Sequence, residues 1–472
     1  MANPSISRQF SHWAANLKYE DLSPEVVDKV KALILHGLAG AVLGGDMPKV
    51  KEAIELTKKE EGRADGATII WDGGKATRLG ATFANAELIH SSGLFDSYRM
   101  LTHPGPVLIP AALANAELEG KNGKDIITAL AAGYEFLYRL CDKFIPSTAA
   151  RGFRPSPIYC TMGAAMVTGK LMGLSEDGLV SAIALAANFA SGLNEGPRSG
   201  GNETSIHELQ AARNGVFAGV MARAGHVKGA ELTIEGDAGF YNAFTGSSKG
   251  KLSYAFQGPL EVDMATITQG LGKEWKLLTT MFRMYTVAGY NQPVIDLIAE
   301  MKQQHGLKSE DIEDLSVRMN WIETQYPSPA FPRYPDWNAP RVGCTHYFAA
   351  HAAVNGGFPV AGGATFGPTG HKLAEDQKVL DFMMKHVNLV PEKERAMFSP
   401  GAIITMKDGA KHVGEYPYQR MEWTFDQLAV QLQRCLPGYG LGKAGLDSLV
   451  ATTQATDQLP SVERFYQVTR RP

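Results

Sequence analysis

Small residues set the strongest constraint on what this chain can fold into. Alanine and glycine crowd its first half, as in AALANAELEG (111–120), ALAAGYEF (129–136) and AAMVTGKLMG (164–173). Small residues on adjoining faces let helices approach closely, so these stretches predict a compact helical bundle. One helix start is written at Ser23-Pro24-Glu25, with a capping serine, proline at the first helical position and an acid in the first turn. Val27, Val30, Leu33, Ile34 and Leu38 continue it as an apolar stripe that stops at Gly44-Gly45. Further helices are expected over 75–89, 107–118, 125–144, 162–172, 177–190 and 205–224. One short apolar run, 67–71, reads as a strand before a turn at Asp72-Gly73-Gly74.

Near Leu277 the pattern changes. Proline and aromatic residues gather in QYPSPAFPRYPDW (325–337), and 314–319 alternates as a strand does. Residues 403–406 and 411–413 flank an Asp408-Gly409 turn and predict a hairpin. Helical pieces at 294–304 and 346–353 lie between, so this part reads as α+β, and after Trp423 the chain reads as helical again. A length of 472 residues exceeds one simple core and suggests at least two domains.

Apolar residues make up 44% and charged residues 20%, the balance of a globular protein. A net charge of -3 offers no bulk positive field for nucleic acid or an anionic membrane. The longest apolar stretch, 30–43, is interrupted by Lys31 and His36, and residues 1–10 lack the apolar core of a signal peptide. Cys141, Cys160, Cys344 and Cys435 lie far apart without a C-x-x-C, which indicates neither a disulfide framework nor a zinc knuckle. A cytoplasmic location is the expectation.

The common catalytic signatures H-E-x-x-H and Walker A are missing. GGATFGPTG (362–370) lacks the lysine and helix start of a phosphate loop and reads as a plain loop. His346 and His351, five apart on a helix, face different ways, which speaks against a shared metal. THPGP (102–106) puts His103 in a rigid turn before a helix, where an imidazole can face a carboxylate and exchange a proton with it. Ser205 to Glu208 has the capping-box pattern, which places His207 in a first helical turn. Arg154 and Arg283 offer planar forks suited to carboxylates.

Four segments together resemble the MmgE/PrpD family, which includes 2-methylcitrate dehydratase, cis-aconitate decarboxylase and iminodisuccinate epimerase. They are HSSGLFDSYRMLTHPGPVLIPAALANAELEGKNGKDIITALAAGYEFLYRL (90–140), GAAMVTGKLMGLSEDGL (163–179), IHELQAARNGVFAGVMARAG (206–225) and IEGDAGF (234–240). The resemblance implies a mainly α fold: a large all-helical domain, 1–276 and 425–472, interrupted by a smaller α+β lid domain, 277–424. It also implies a homodimer and a site between the domains that uses no metal or other cofactor.

Residue by residue, Asp96, Ser97, His103, His207 and Tyr285 match family positions. Arg154, Thr204, Arg283 and Gln292 stand where the family has proton-carrying lysines or histidines, and Gly93 stands where it has an aspartate. The implied activity is that of a lyase, a dehydratase or decarboxylase acting on a small di- or tricarboxylic acid. His103 would be the base, oriented by Asp96 or Ser97. Arg154, Arg283 and the helix N-termini would stabilise the enolate-like dianion, and Tyr285, Tyr290 or His207 would protonate the other side. Without a leaving group, reprotonation from the opposite face would make an epimerase. A carboxylate-binding protein without catalysis is the third alternative.

Overall fold

The helix Pro24–Gly44 starts where the sequence signal places it, with the Ser23 hydroxyl accepting from the Val26 N–H at 3.4 Å. The computed structural model, which describes residues 4–333, 339–362 and 376–472, is mainly α with a smaller α+β part. At the centre of the helical part, Pro155–Leu171 packs between Gly123–Cys141 and His207–Ala224. Small residues permit that approach. A Cβ added at Gly163 would lie 2.6 Å from Leu137 Cδ2, and one at Gly215 would lie 2.4 Å from the Ala164 Cβ and 2.6 Å from the Thr161 carbonyl. Any larger side chain at these points would separate the helices.

The first strand differs from expectation. It is Gly62–Thr68, paired antiparallel with Lys75–Ala76, and the apolar residues at 69–71 form the turn between them. That turn is buried because Asn85 satisfies its backbone: the Asn85 side chain accepts from Ile70 N–H at 2.8 Å and donates to the Thr68 carbonyl at 2.9 Å. The following helix therefore begins at Arg78 rather than at 75, capped by Thr77, whose hydroxyl accepts from Gly80 N–H.

In the mixed part, Ile312–Asn320 is central to a four-stranded sheet. It runs parallel to Val387–Glu392, with Leu315 opposite Val387, and antiparallel to Gly401–Met406, with Leu315 opposite Ile404. Gly401–Met406 then forms the hairpin with Lys411–Glu415, and Gly409 supplies the left-handed turn residue at φ 89°. Asn291–His305, Thr345–Asn355 and Gln377–His386 pack against this sheet or each other. Except for Gly362, the glycine-rich stretch 362–370 lies outside the described residues, as do residues 334–337 of the proline-rich stretch.

The chain then returns to the helical part. Phe425–Leu432, Gly442–Gln454 and Glu463–Thr469 all contact Pro24–Gly44. Lys29, buried on that helix, donates to the carbonyls of Thr280 (3.3 Å), Glu422 (3.2 Å) and Trp423 (2.9 Å). Burial lowers the Lys29 ammonium to about 8. One side chain thus ties the outgoing and returning segments together. Among the described residues, no helix is long and apolar enough to cross a membrane.

Candidate active site

His103 sits at the end of a tight loop that precedes the helix Gly105–Leu118. Arg99 (φ 51°) and Leu101 (φ 65°) are left-handed in this loop, a conformation that side chains other than glycine adopt only when the surroundings impose it. The Ser156 hydroxyl accepts from the His103 backbone N–H at 3.1 Å. His103 Nδ1 lies 3.2 Å from the Asp96 carbonyl and 3.3 Å from the Ser97 hydroxyl. A carbonyl can only accept, so Nδ1 carries the proton and Nε2 keeps its lone pair. Burial, followed by Arg283 and Arg154, holds the imidazole well below its ordinary 6.5, so it is neutral at pH 7.

The Asp96 carboxylate does not touch that ring. One of its oxygens accepts from Gly105 N–H at 2.7 Å, at the helix N-terminus, and the other from the Tyr134 hydroxyl at 2.7 Å. Burial raises it to about 6 in spite of these bonds. Asp96 orients His103 through its backbone, not through its acid.

Asp96–Ser97 pairs antiparallel with Met281–Phe282, and this places Arg283 beside Phe95. The Arg283 N–H donates to the Phe95 carbonyl at 3.1 Å, and its guanidinium lies 4.5 Å from the Phe95 ring centre. Nη1 donates to the Val287 carbonyl at 2.8 Å, while Nε and Nη2 are buried without a partner. Burial brings this arginine down to about 9, and it remains charged at pH 7. A buried guanidinium with two unused donors is prepared for an anion.

Both groups line a cavity of about 780 Å³ that also takes in His90, Arg154, Thr204, Tyr290, Glu323 and His346. Arg154 is buried and bonded to Glu208, which has no exposed side-chain surface. Burial alone would raise the Glu208 carboxyl, but Arg154, with His90 and His103, brings it down to about 2. His90 Nε2 lies 3.5 Å from the other Glu208 oxygen, its Nδ1 has no partner, and burial lowers it to about 4. Its ring stacks on Phe95 with centroids 5.1 Å apart, and His103 lies 5.3 Å from the same ring. Among the described residues, no three or more His, Cys, Asp or Glu side chains come together as a metal site would require.

The family profile of the MmgE/PrpD N-terminal domain matches residues 8–253, just over half of the chain. The chain belongs to the MmgE/PrpD family. It is 25% identical over 311 residues to a cis-aconitate decarboxylase of Aspergillus terreus, covering 64% of this chain and 61% of that protein. A cis-aconitate decarboxylase-like protein of Aspergillus oryzae is 27% identical over 313 residues, covering 64% and 62%. Human cis-aconitate decarboxylase is 26% identical over 244 residues, half of each chain. The match thus spans about three fifths of the length of the fungal relatives.

Within this MmgE/PrpD scaffold the expected site residues divide. His103, Arg154, Thr204, Arg283 and Tyr290 line one cavity, with Ser97 and the Asp96 backbone directly behind His103. Three others do not line it. The Tyr285 hydroxyl donates to Asp296 at 2.7 Å and accepts from Arg434 at 2.9 Å. The Gln292 amide accepts from Met284 N–H at 2.7 Å and donates to the Phe282 carbonyl at 3.1 Å, which uses both its ends on backbone. His207 begins its helix outside the lining. The capping box expected at Ser205 does not form: a short 3-10 turn, Glu203–Ile206, leads into His207–Ala224, and Glu208 turns inward to Arg154 instead of back to a cap. Leaving the buried Glu208 without Arg154 would cost about 3–5 kcal/mol, more than a cap contributes.

Proposed function

We propose that the protein is a lyase acting on a small carboxylic acid, by removing a proton next to a carboxylate. The observation that carries this reading is the pairing of His103, with Nε2 unprotonated, and Arg283, with two unpartnered nitrogens, in one cavity. In this reading Arg283 Nε and Nη2 grip the substrate carboxylate. His103 Nε2 takes the α-proton, and the negative charge that develops on the carboxylate oxygens is stabilised by the adjacent guanidinium. Departure of the hydroxyl from the neighbouring carbon, as water once it has taken up a proton, completes a dehydration; in a decarboxylation carbon dioxide leaves its bonding electrons behind, and the carbanion so formed takes up a proton instead. The cis-aconitate decarboxylases named above support a lyase within the family. The 2-methylcitrate-type dehydration, a homodimeric assembly and a cytoplasmic location are finer parts of the same proposal. So is the division into a helical domain (1–276 and 425–472) and an α+β lid (277–424).

A second reading, an epimerase, is favoured by His90, a further neutral imidazole in the cavity with an unpartnered Nδ1. Two bases on one substrate suffice for proton removal and return. Proton NMR of mono-, di- and tricarboxylic acids incubated with the protein in D2O separates these outcomes. New vinyl signals establish a lyase, and deuterium at an α-carbon with no new alkene establishes an epimerase. His103→Gln is expected to lower either turnover by about 100- to 10,000-fold. If neither change occurs with any acid, the protein is a binder and the catalytic reading falls.

A further inference from the structure

The charges on the buried part of the cavity wall limit how many carboxylates it can take. Two guanidiniums reach it. Arg283 has two buried donors without partners, whereas Arg154 is already joined to Glu208, a fully buried acid behind the lining. Glu208 takes one nitrogen of Arg154 and already balances its charge, so a second carboxylate on the remaining nitrogens would add a negative charge to a neutral buried pair. Asp96 lies within electrostatic reach of Arg283 and offsets part of its charge. Burial keeps His90 and His103 neutral. Among the described residues of this part of the wall, at most one positive charge is therefore uncompensated. Lys49 and Arg333 also line the cavity, but Lys49 is half exposed, Arg333 is exposed, and the acid Glu52 lines the wall with them. Water and salt screen charges in such positions. Much of the remaining wall is apolar, with Phe95, Met100, Leu101, Val287 and Phe398.

We propose that this cavity selects a monocarboxylate with an uncharged remainder, and that Glu208 determines this specificity by engaging Arg154. The inference rests on the carboxylate-binding reading above and narrows it. The preferred substrate then differs in charge from the tricarboxylate in the names of the relatives. Glu208 acts through Arg154 and is a positioning residue, not a catalytic one.

Isothermal titration of the full chain with three related acids tests this. The acids are cis-aconitate, itaconate and 2-ethylacrylate, which carry three, two and one carboxylates. The expected order has 2-ethylacrylate tightest and cis-aconitate at least about tenfold weaker. Glu208→Gln should tighten cis-aconitate by about tenfold or more while leaving 2-ethylacrylate nearly unchanged. Arg283→Gln should weaken all three. If cis-aconitate binds tightest to the wild type, or Glu208→Gln leaves the ratio unchanged, the charge-class inference is overturned. The carboxylate-binding reading survives that result as long as Arg283→Gln still weakens binding. If none of the three acids binds the wild type, that reading is overturned and the inference with it. Should Glu208→Gln fail to fold, the wild-type order alone decides.

Discussion

The charge on Arg283 helps to keep His103 neutral. The guanidinium is one cause of the depressed imidazole, second to burial. Diethyl pyrocarbonate reacts with unprotonated imidazole, so its rate at His103, read by peptide mass spectrometry against pH, reports that ring. The half-reactive point should lie well below 6.5 in the wild type and move up in Arg283→Gln. A wild-type midpoint at the ordinary histidine value would refute the environment described for the base. Glu323, on the same cavity wall, gives the opposite kind of titration. It accepts from Phe398 N–H at 2.7 Å, and burial raises it from 4.5 to about 8. The folded protein keeps this proton while the unfolded chain loses it. The associated stability is full below 4.5 and lost as pH rises through about 8. Glu323→Gln keeps the acceptor and cannot ionise. Its melting temperature should therefore gain on the wild type by a few degrees between about pH 5 and about pH 8, as measured by calorimetry at both ends. Of the candidate site residues, His103 and Arg154 were legible because a rigid T-H-P-G-P turn and an arginine ahead of a helix start are local signals, whereas Arg283 was legible through its place in the family pattern. His90 and Glu208 were not. Each sits within a helical stretch whose neighbours explain it as ordinary packing or capping, and only the fold brings them to one place.

Among the secondary elements, the helices rest on contacts that admit no extra methyl group. Gly215→Ala would place a Cβ where Ala164 and the Thr161 carbonyl already stand. The cost of such overpacking is about 1–3 kcal/mol, and a clear fall in the urea midpoint is the expected result; an unchanged midpoint would mean that the two helices separate freely. The alanine- and glycine-rich runs made this packing readable beforehand, as Asp408-Gly409 did for the hairpin. The two-residue pairing of Asp96–Ser97 with Met281–Phe282 had no such signal. A strand that short leaves no alternation in the sequence, and its partners are separated by most of the helical part. The buried turn at 69–71 misled for a related reason: apolar residues there are sheltered by Asn85, a partner from the next helix, and not by a strand's own alternation.

For the whole molecule, Lys29 is the joint between the helical part and the chain that leaves and re-enters it. Lys29→Met would remove the donor from three carbonyls, and buried groups left unsatisfied cost about 1–3 kcal/mol each. Limited proteolysis should then cut preferentially near 280 and near 422–424, two places far apart in sequence. Cleavage at only one of them would show that the lysine does not join them. The order helical, mixed, helical could be read from composition alone, but the joint could not, since a lone lysine on an apolar stripe gives no hint that three distant carbonyls surround it.

The same joint bears on how such a protein can diversify. The segments near 280 and near 423 are held within reach of one ammonium group, so the helices beneath meet the same two anchor points whatever lies between them. His90, His103 and Arg154 belong to the side before the joint, while Glu323 and His346 arrive from beyond it. Loops and side chains between those points can be lengthened, shortened or exchanged with no change of register in the helices that carry the proposed base. The proposed base and the Arg154–Glu208 pair are therefore inherited together, while the far wall of the cavity can change.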